Sequence, residues 1–179
     1  MNKIDAAYIA GFIDADGCVQ LPSGKTNYPN KLKAQYTFTP RVEITNASNH
    51  VLEWIATITG FDNKIIKFYL PKGRQKNPYY RMYFTGSNLR KLLPEIEPHL
   101  KIKQQQARYL LEINKLFDDV AATGGNFRLR SEVHQNNLGK YILIWYKVAV
   151  LNNGIDKAGE LLLRKFNKKP EELLGHPNV

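Results

Sequence analysis

Between Lys33 and Thr45 the chain alternates with a period of two. Ala34, Tyr36, Phe38, Pro40, Val42 and Ile44 share one parity, and Lys33, Gln35, Thr37, Thr39, Arg41 and Glu43 share the other. In an extended strand, successive side chains point to opposite faces, so the first set must be covered and the second left open. That pattern belongs to an antiparallel sheet with helices on one face only. It recurs from Tyr79 to Thr85, where Tyr80, Met82 and Phe84 oppose Tyr79, Arg81 and Tyr83. In the intervening stretch, Lys64 to Leu70, the adjacent Ile65 and Ile66 blur the alternation. There Ile66, Phe68 and Leu70 are expected inward, and Lys67 and Tyr69 outward.

Helical segments surround these strands. A first helix is expected over Ala6–Asp14, capped by Asp5, with a short strand over Gly17–Leu21 behind it. A polar loop carrying Pro22, Gly24, Asn27 and Pro29 then joins the two strands. A second helix runs from Ser48, a good cap, to Gly60, a good stop. After the second strand pair, a short helix from Asn88 to Leu93, capped by Ser87, ends at Pro94. Longer helices follow over Gln104–Ala121 and Leu138–Leu151, and a basic helical tail from Asp156 breaks near Pro170. The order specifies an α+β fold in one domain over 1–179, with a core of about 1–121 and a helical extension of about 122–179. No apolar run approaches the roughly 18 residues of a spanning helix. The single Cys18 excludes an intrachain disulfide and any multi-cysteine metal site, which suits a reducing compartment.

The net charge is +10 and the pI about 9.6. A folded domain this basic is suited to polyanions, nucleic acid first among them. The open sheet face sharpens that expectation. Gln20, Lys33, Gln35, Thr37, Thr39, Arg41, Glu43, Lys67, Tyr69, Tyr79, Arg81 and Tyr83 are rich in groups that suit base edges and phosphates in a major groove. Lys72 and Arg74, in the basic connection from Pro71 to Pro78, extend the same surface.

The first helix adds the chemistry. Ala7, Ala10, Gly11 and Asp14 fall three and four residues apart, a stripe along which another helix can approach backbone to backbone. Tyr8, Ile9, Phe12 and Ile13 lie off the stripe and are expected to anchor the helix in its own core. The helix ends in Asp14-Ala15-Asp16-Gly17, so a second copy crossing it would bring two acidic ends together. Paired carboxylates resist joint ionisation unless a cation neutralises them, and Mg²⁺ prefers such oxygens. Taken alone, Asp-x-Asp-Gly marks no more than a helix-ending turn. An EF-hand is excluded, because Gly17 falls too early and Lys25 stands where the bidentate Glu belongs.

The whole string Ile9-Ala10-Gly11-Phe12-Ile13-Asp14-Ala15-Asp16-Gly17 resembles the LAGLIDADG signature of homing endonucleases, and single-motif members from green-algal organelles look most similar. The resemblance implies an αββαββα core, Asp16 as the metal-binding carboxylate and the Ala15 carbonyl as an added ligand. It implies a supporting role for Asp14 at the helix ends. Asn46, in Glu43-Ile44-Thr45-Asn46, falls where the family places a water-organising Gln, and His50 where relatives carry Arg. Lys103, within Leu100-Lys101-Ile102-Lys103-Gln104, matches the family's catalytic-site lysine.

The implied activity is Mg²⁺-dependent hydrolysis of double-stranded DNA, with Mn²⁺ able to substitute, leaving short 3′ overhangs. Only one motif occurs in the chain, so the resemblance implies a homodimer through the first helix reading a long pseudo-palindromic target. It also implies an organelle-encoded gene, while the lack of a spanning apolar run gives the expectation of no membrane partner. Two other readings stay open at this point: an intron RNA maturase, and a dimeric DNA-binding protein that does not cut.

Overall fold

The computed structural model describes residues 1–26, 35–62, 66–70, 77–122 and 136–174. In chain order it contains α1 (Lys3–Asp16), β1 (Gly17–Gln20), β2 (Ser23–Thr26), β3 (Gln35–Phe38), β4 (Arg41–Asn46), α2 (His50–Thr59), β5 (Ile66–Tyr69), β6 (Tyr79–Thr85) and α3 (Gly86–Ile96). A 3-10 turn (Glu97–His99), α4 (Gln104–Ala122), α5 (Leu138–Asn153), α6 (Ile155–Phe166) and α7 (Pro170–Leu174) follow. The fold is α+β, and its packing forms two compact units: Met1–Gln20 with Pro40–Leu111, and Leu21–Thr39 with Glu112–Val179. Among the described residues no helix is long and apolar enough to cross a membrane.

The first unit holds a four-stranded antiparallel sheet in the order β1-β4-β6-β5. Val19, Val42, Ile44, Met82 and Phe84 point to its covered face and are at most 1% exposed. Against them lie Ile9, Ala10 and Ile13 of α1, Leu52 and Ile55 of α2, and Leu89, Leu92, Leu93 and Ile96 of α3, all buried. Each of the buried Val, Leu, Ile, Met and Phe side chains among them contributes about 1.5–3 kcal/mol by leaving water. The alternation in β4 and β6 therefore reads correctly.

Four expectations need correction. α1 begins three residues earlier than expected, because Asn2 is the cap: its Oδ1 accepts the Asp5 N–H at 2.8 Å and its Nδ2 donates to Asp5 Oδ2 at 2.6 Å. Lys33–Thr45 is not one strand. Thr39 and Pro40 lie between β3 and β4, and β3 pairs with β2 in a separate two-stranded sheet. Pro40 has no N–H to give a ladder, which ends the pairing there. β2 itself occupies part of the segment expected as a loop. Finally, α3 continues through Pro94, whose exposed ring sits in the last turn of the helix.

β5 also departs from its expected polarity. Phe68 is 53% and Leu70 67% exposed, although their parity was assigned inward. Among the described residues β5 is an edge strand with β6 as its sheet neighbour, and the covering layer does not reach it fully.

The second unit gathers aromatic side chains around Phe166 of α6. Its ring lies 5.2 Å from Tyr36 and 6.0 Å from Phe38 of β3, and 5.0 Å from Trp145 of α5. Lys165 donates to Ser23 Oγ at 3.2 Å, tying α6 to β2.

Candidate active site and nucleic-acid interface

At its C-terminal end α1 meets the turn that precedes α4. The Asp14 carboxylate accepts the backbone N–H groups of Lys101 at 2.6 Å, Ile102 at 3.1 Å and Lys103 at 2.9 Å. In return the Lys103 ammonium donates to the Ile13 carbonyl at 2.8 Å and the Asp14 carbonyl at 2.6 Å. Each partner thus satisfies backbone groups at the other's helix end or in the turn that leads into it. Carbonyls at a helix C-terminus carry partial negative charge, which favours the ammonium and disfavours the Asp14 anion. Burial also opposes that anion, but the three N–H groups and the Lys103 charge outweigh it, so the Asp14 pKa is lowered.

Gly17 is required for the same junction. A Cβ there would lie 2.8 Å from both Cα and O of Ile13, against backbone that cannot swing aside. The chain therefore passes from α1 to β1 directly behind Asp16, which is left exposed. Asp16 and the Ala15 carbonyl offer hard oxygen donors at the negative end of a helix. Among the described residues no group of three His, Cys, Asp or Glu side chains is gathered to hold a metal ion. This donor set fits Mg²⁺, which keeps several waters and takes one or two carboxylates together with phosphate oxygens.

The open face of the sheet is a second cluster. Glu43 stands between Cys18 and Tyr83 in register, with its side chain only 12% exposed. Its Oε2 accepts from Gln20 Nε2 at 3.0 Å and lies 3.4 Å from Arg41 Nη2, while Oε1 lies 2.9 Å from Arg81 Nε. Arg81 also donates to the Tyr83 hydroxyl at 2.8 Å and the Tyr79 hydroxyl at 3.2 Å. Its guanidinium lies over the Tyr69 and Tyr79 rings, 5.0 and 5.2 Å from their centres. Lys67, opposite Arg81 on β5, is exposed. Cys18 is half-buried beside them. Burial pushes its thiol pKa up, Glu43 adds to this, and Lys103 and Arg41 oppose it, so it is a poor nucleophile.

A sequence model of the LAGLIDADG endonuclease family matches residues 9–111, more than half of the chain. The protein belongs to that family. No curated protein matches it by sequence. Among solved structures, the fold is similar to that of the homing endonuclease I-CvuI in complex with its target in the presence of Ca (TM-score 0.61, 20% identity, covering 92% of this chain and 96% of that one). It is also similar to the archaeal intron-encoded homing endonuclease I-Vdi141I complexed with DNA (TM-score 0.56, 19% identity, 88% and 96%). A third is the LAGLIDADG homing endonuclease I-LtrWI bound to target DNA (TM-score 0.60, 17% identity), where the match takes in 99% of this chain and 55% of that one.

The other residues expected in a LAGLIDADG site are distributed unevenly. Asn46 ends β4 two residues beyond Ile44, the partner of Gly17. Its Oδ1 accepts the Ser48 N–H at 2.8 Å, so the amide builds the turn into α2. His50, the first residue of α2, has a side chain 89% exposed, with Nδ1 3.9 Å from Glu53. On α1, Ala7 and Gly11 are exposed and Asp14 half-buried, but Ala10 is 0% exposed within its own chain. The expectation that Ala10 lines an outer helix stripe is therefore corrected, since it packs inward with Ile9 and Ile13. Tyr8, expected as an anchor, is instead 55% exposed, its ring set edge-on to Trp54.

Thr37 and Thr39 are exposed but belong, with Gln35, to the second unit's segment and not to the four-stranded sheet. Lys33, Lys72 and Arg74 lie outside the described residues. The reading from sequence missed the Asp14–Lys103 interlock, because nothing local ties residues so far apart. It also missed the Glu43-centred pairing, whose one signal was a lone acid among the basic and hydroxyl residues of that face.

Proposed function

We propose that the protein is a single-motif homing endonuclease, of the kind carried by organelle introns, that acts as a homodimer. It makes double-strand breaks in a long, near-palindromic DNA target by metal-dependent hydrolysis and leaves short 3′ overhangs. The observation that carries this reading is the exposed Asp16 at the end of α1, beside a Lys103 locked to the same helix end. Asp16 and the Ala15 carbonyl hold Mg²⁺ or Mn²⁺. When bound, such ions activate water and stabilise the leaving 3′ oxygen. Lys103 supplies a fixed positive charge for the phosphate as it gains negative charge, and its two carbonyl partners keep it from swinging away. The open sheet face lies along the duplex, and its basic and hydroxyl groups bind phosphates and base edges.

A single chain carries one such carboxylate end, and cutting both strands needs two. Support for a dimer comes from the exposed side of α1, where Ile4 is 81% and Tyr8 55% exposed, with Ala7, Gly11 and Ala15 between and beyond them. Small residues there permit close backbone approach of a second copy. Ile102, held at the end of α1 through Asp14, adds a side chain 72% exposed.

The test compares wild type with Asp16→Asn on a library of near-palindromic duplexes, in Mg²⁺ and in chelator. Cuts by wild type in Mg²⁺ alone, with binding retained and cutting lost in Asp16→Asn, are expected. Specific binding without cutting in any metal would overturn the enzyme and leave a dimeric DNA-binding protein.

A further inference from the structure

On a surface read as a DNA-binding face, an anion at the centre is an electrostatic cost, because it repels phosphate. Glu43 is such an anion, and it is not solvated. Its carboxylate is 12% exposed and engages a neutral amide and two guanidinium groups. The guanidinium groups are fixed in turn by the aromatic residues of β5 and β6. Arg41 lies over the Tyr83 ring at 5.2 Å, and Arg81 is bracketed by the Tyr69 and Tyr79 rings and the hydroxyls of Tyr79 and Tyr83. Arg81 Nε stands within charge contact of Glu43 although its N–H is not aimed for a hydrogen bond, and among the described residues Arg41 Nε is buried with no hydrogen-bond partner. The carboxylate thus sets where the two forks stand without saturating them.

An arginine free to rotate follows the nearest phosphate and contributes affinity without sequence information. One held in a single orientation can match two acceptors on a base edge and reject a base that lacks them. Here two arginines share one carboxylate, so one positive charge per protomer is cancelled in exchange for fixed geometry. Resting on the proposed reading of this face as the DNA interface, we infer that Glu43 is a positioning residue for specificity: it holds Arg41, Arg81 and Gln20 in one preorganised array and limits indiscriminate binding to DNA.

The inference makes Glu43→Gln an unusual variant, one that binds the wrong DNA better. Wild type, Glu43→Gln and Tyr83→Phe would each be used to select duplexes from a random-sequence library in chelator, which prevents cutting. Affinity would then be measured for the duplex that wild type enriches most and for a shuffled duplex, across a salt series. For Glu43→Gln, affinity for the shuffled duplex should rise several-fold, with a salt slope steeper by up to about one unit per protomer. The ratio of selected to shuffled affinity should fall by about tenfold or more. Tyr83→Phe removes one acceptor from Arg81 and leaves Glu43 intact, so the ratio should fall by less and the salt slope should not change. It keeps the inference testable if Glu43→Gln melts at working temperature.

A Glu43→Gln that binds selected and shuffled duplexes with the wild-type ratio would overturn the inference. So would equal loss of affinity for both, the behaviour of a merely structural residue. Wild type that enriches no duplex would instead overturn the reading of the face itself, and the two failures are distinct.

Discussion

The end of α1 and the end of β4 were assigned by resemblance to one catalytic centre, yet they are held in different ways. At α1, Asp14 and Lys103 grip each other's backbone across 87 to 90 residues of chain. At β4, Asn46 is held by Ser48, two residues on, and His50 stands near Glu53, three residues on. The first arrangement forms only when the unit has folded, and it fixes Lys103 to the helix that carries Asp16. The second can form in a local turn and, among the described residues, fixes nothing at the end of α1. Residues equal in a motif comparison are therefore unequal in how firmly the fold commits them.

The largest effect is expected from Asp14→Ala. It removes the acceptor for three N–H groups and leaves Lys103 without its fixed turn. A loss of about 2–4 kcal/mol in unfolding free energy is expected, because hydrogen bonds to a charged group each contribute about 1.5–3 kcal/mol and are not additive. On the proposed reading of Lys103, cleavage measured well below the melting temperature should fall roughly 10–100-fold, as expected when a group set against the reacting phosphate is displaced by about an ångström.

The interlock also predicts a pH dependence. The folded pKa of Asp14 lies below its ordinary 3.8. Its contribution is therefore fully present above 3.8 and is lost as pH falls through the lower, folded value. Melting curves from about pH 5 downward should show a component in wild type that Asp14→Asn lacks. Identical acid profiles would mean that the carboxylate and the α4 turn are not coupled.

How much of this was legible in the sequence follows the same division. The buried parity of β4 and β6 was readable, because Val42, Ile44, Met82 and Phe84 answer to a period that needs no distant partner. So was the stop at Gly60, whose φ of +68 suits glycine. The break at Pro40 could have been read, since a proline without an N–H sat inside the proposed strand, but the unbroken alternation across it favoured continuity. The exposure of Phe68 and Leu70 could not, because parity says which face a residue takes and not how far the helices extend over it. Of the site, Asp16 and Lys103 were legible as motif residues. Their mutual geometry was not, and neither was the burial of Ala10, whose helical spacing fits either face of α1.

Asn46→Ala tests the local end at intermediate scale. Losing the Oδ1 acceptor for Ser48 should cost about 0.5–1.5 kcal/mol in thermal or denaturant unfolding. A cost as large as that of Asp14→Ala would erase the contrast between a local and a long-range hold.

His50→Ala should have the smallest effect. The side chain is 89% exposed, and the Glu53 carboxylate is 3.9 Å away at i,i+3 on a helix surface. Exposed pairs of this kind contribute well under about 1 kcal/mol, so unfolding should change by less than about 0.5 kcal/mol. Cleavage of the selected duplex should fall by less than about tenfold, since no contact among the described residues fixes the ring toward the end of α1 and a mobile group contributes little to an oriented transition state. A far larger loss of cutting, with binding and melting unchanged, would show that DNA itself orders this ring. The unequal commitment seen at the two ends would then describe the free protein alone, and the bound duplex would supply at β4 the restraint that Asp14 supplies at α1.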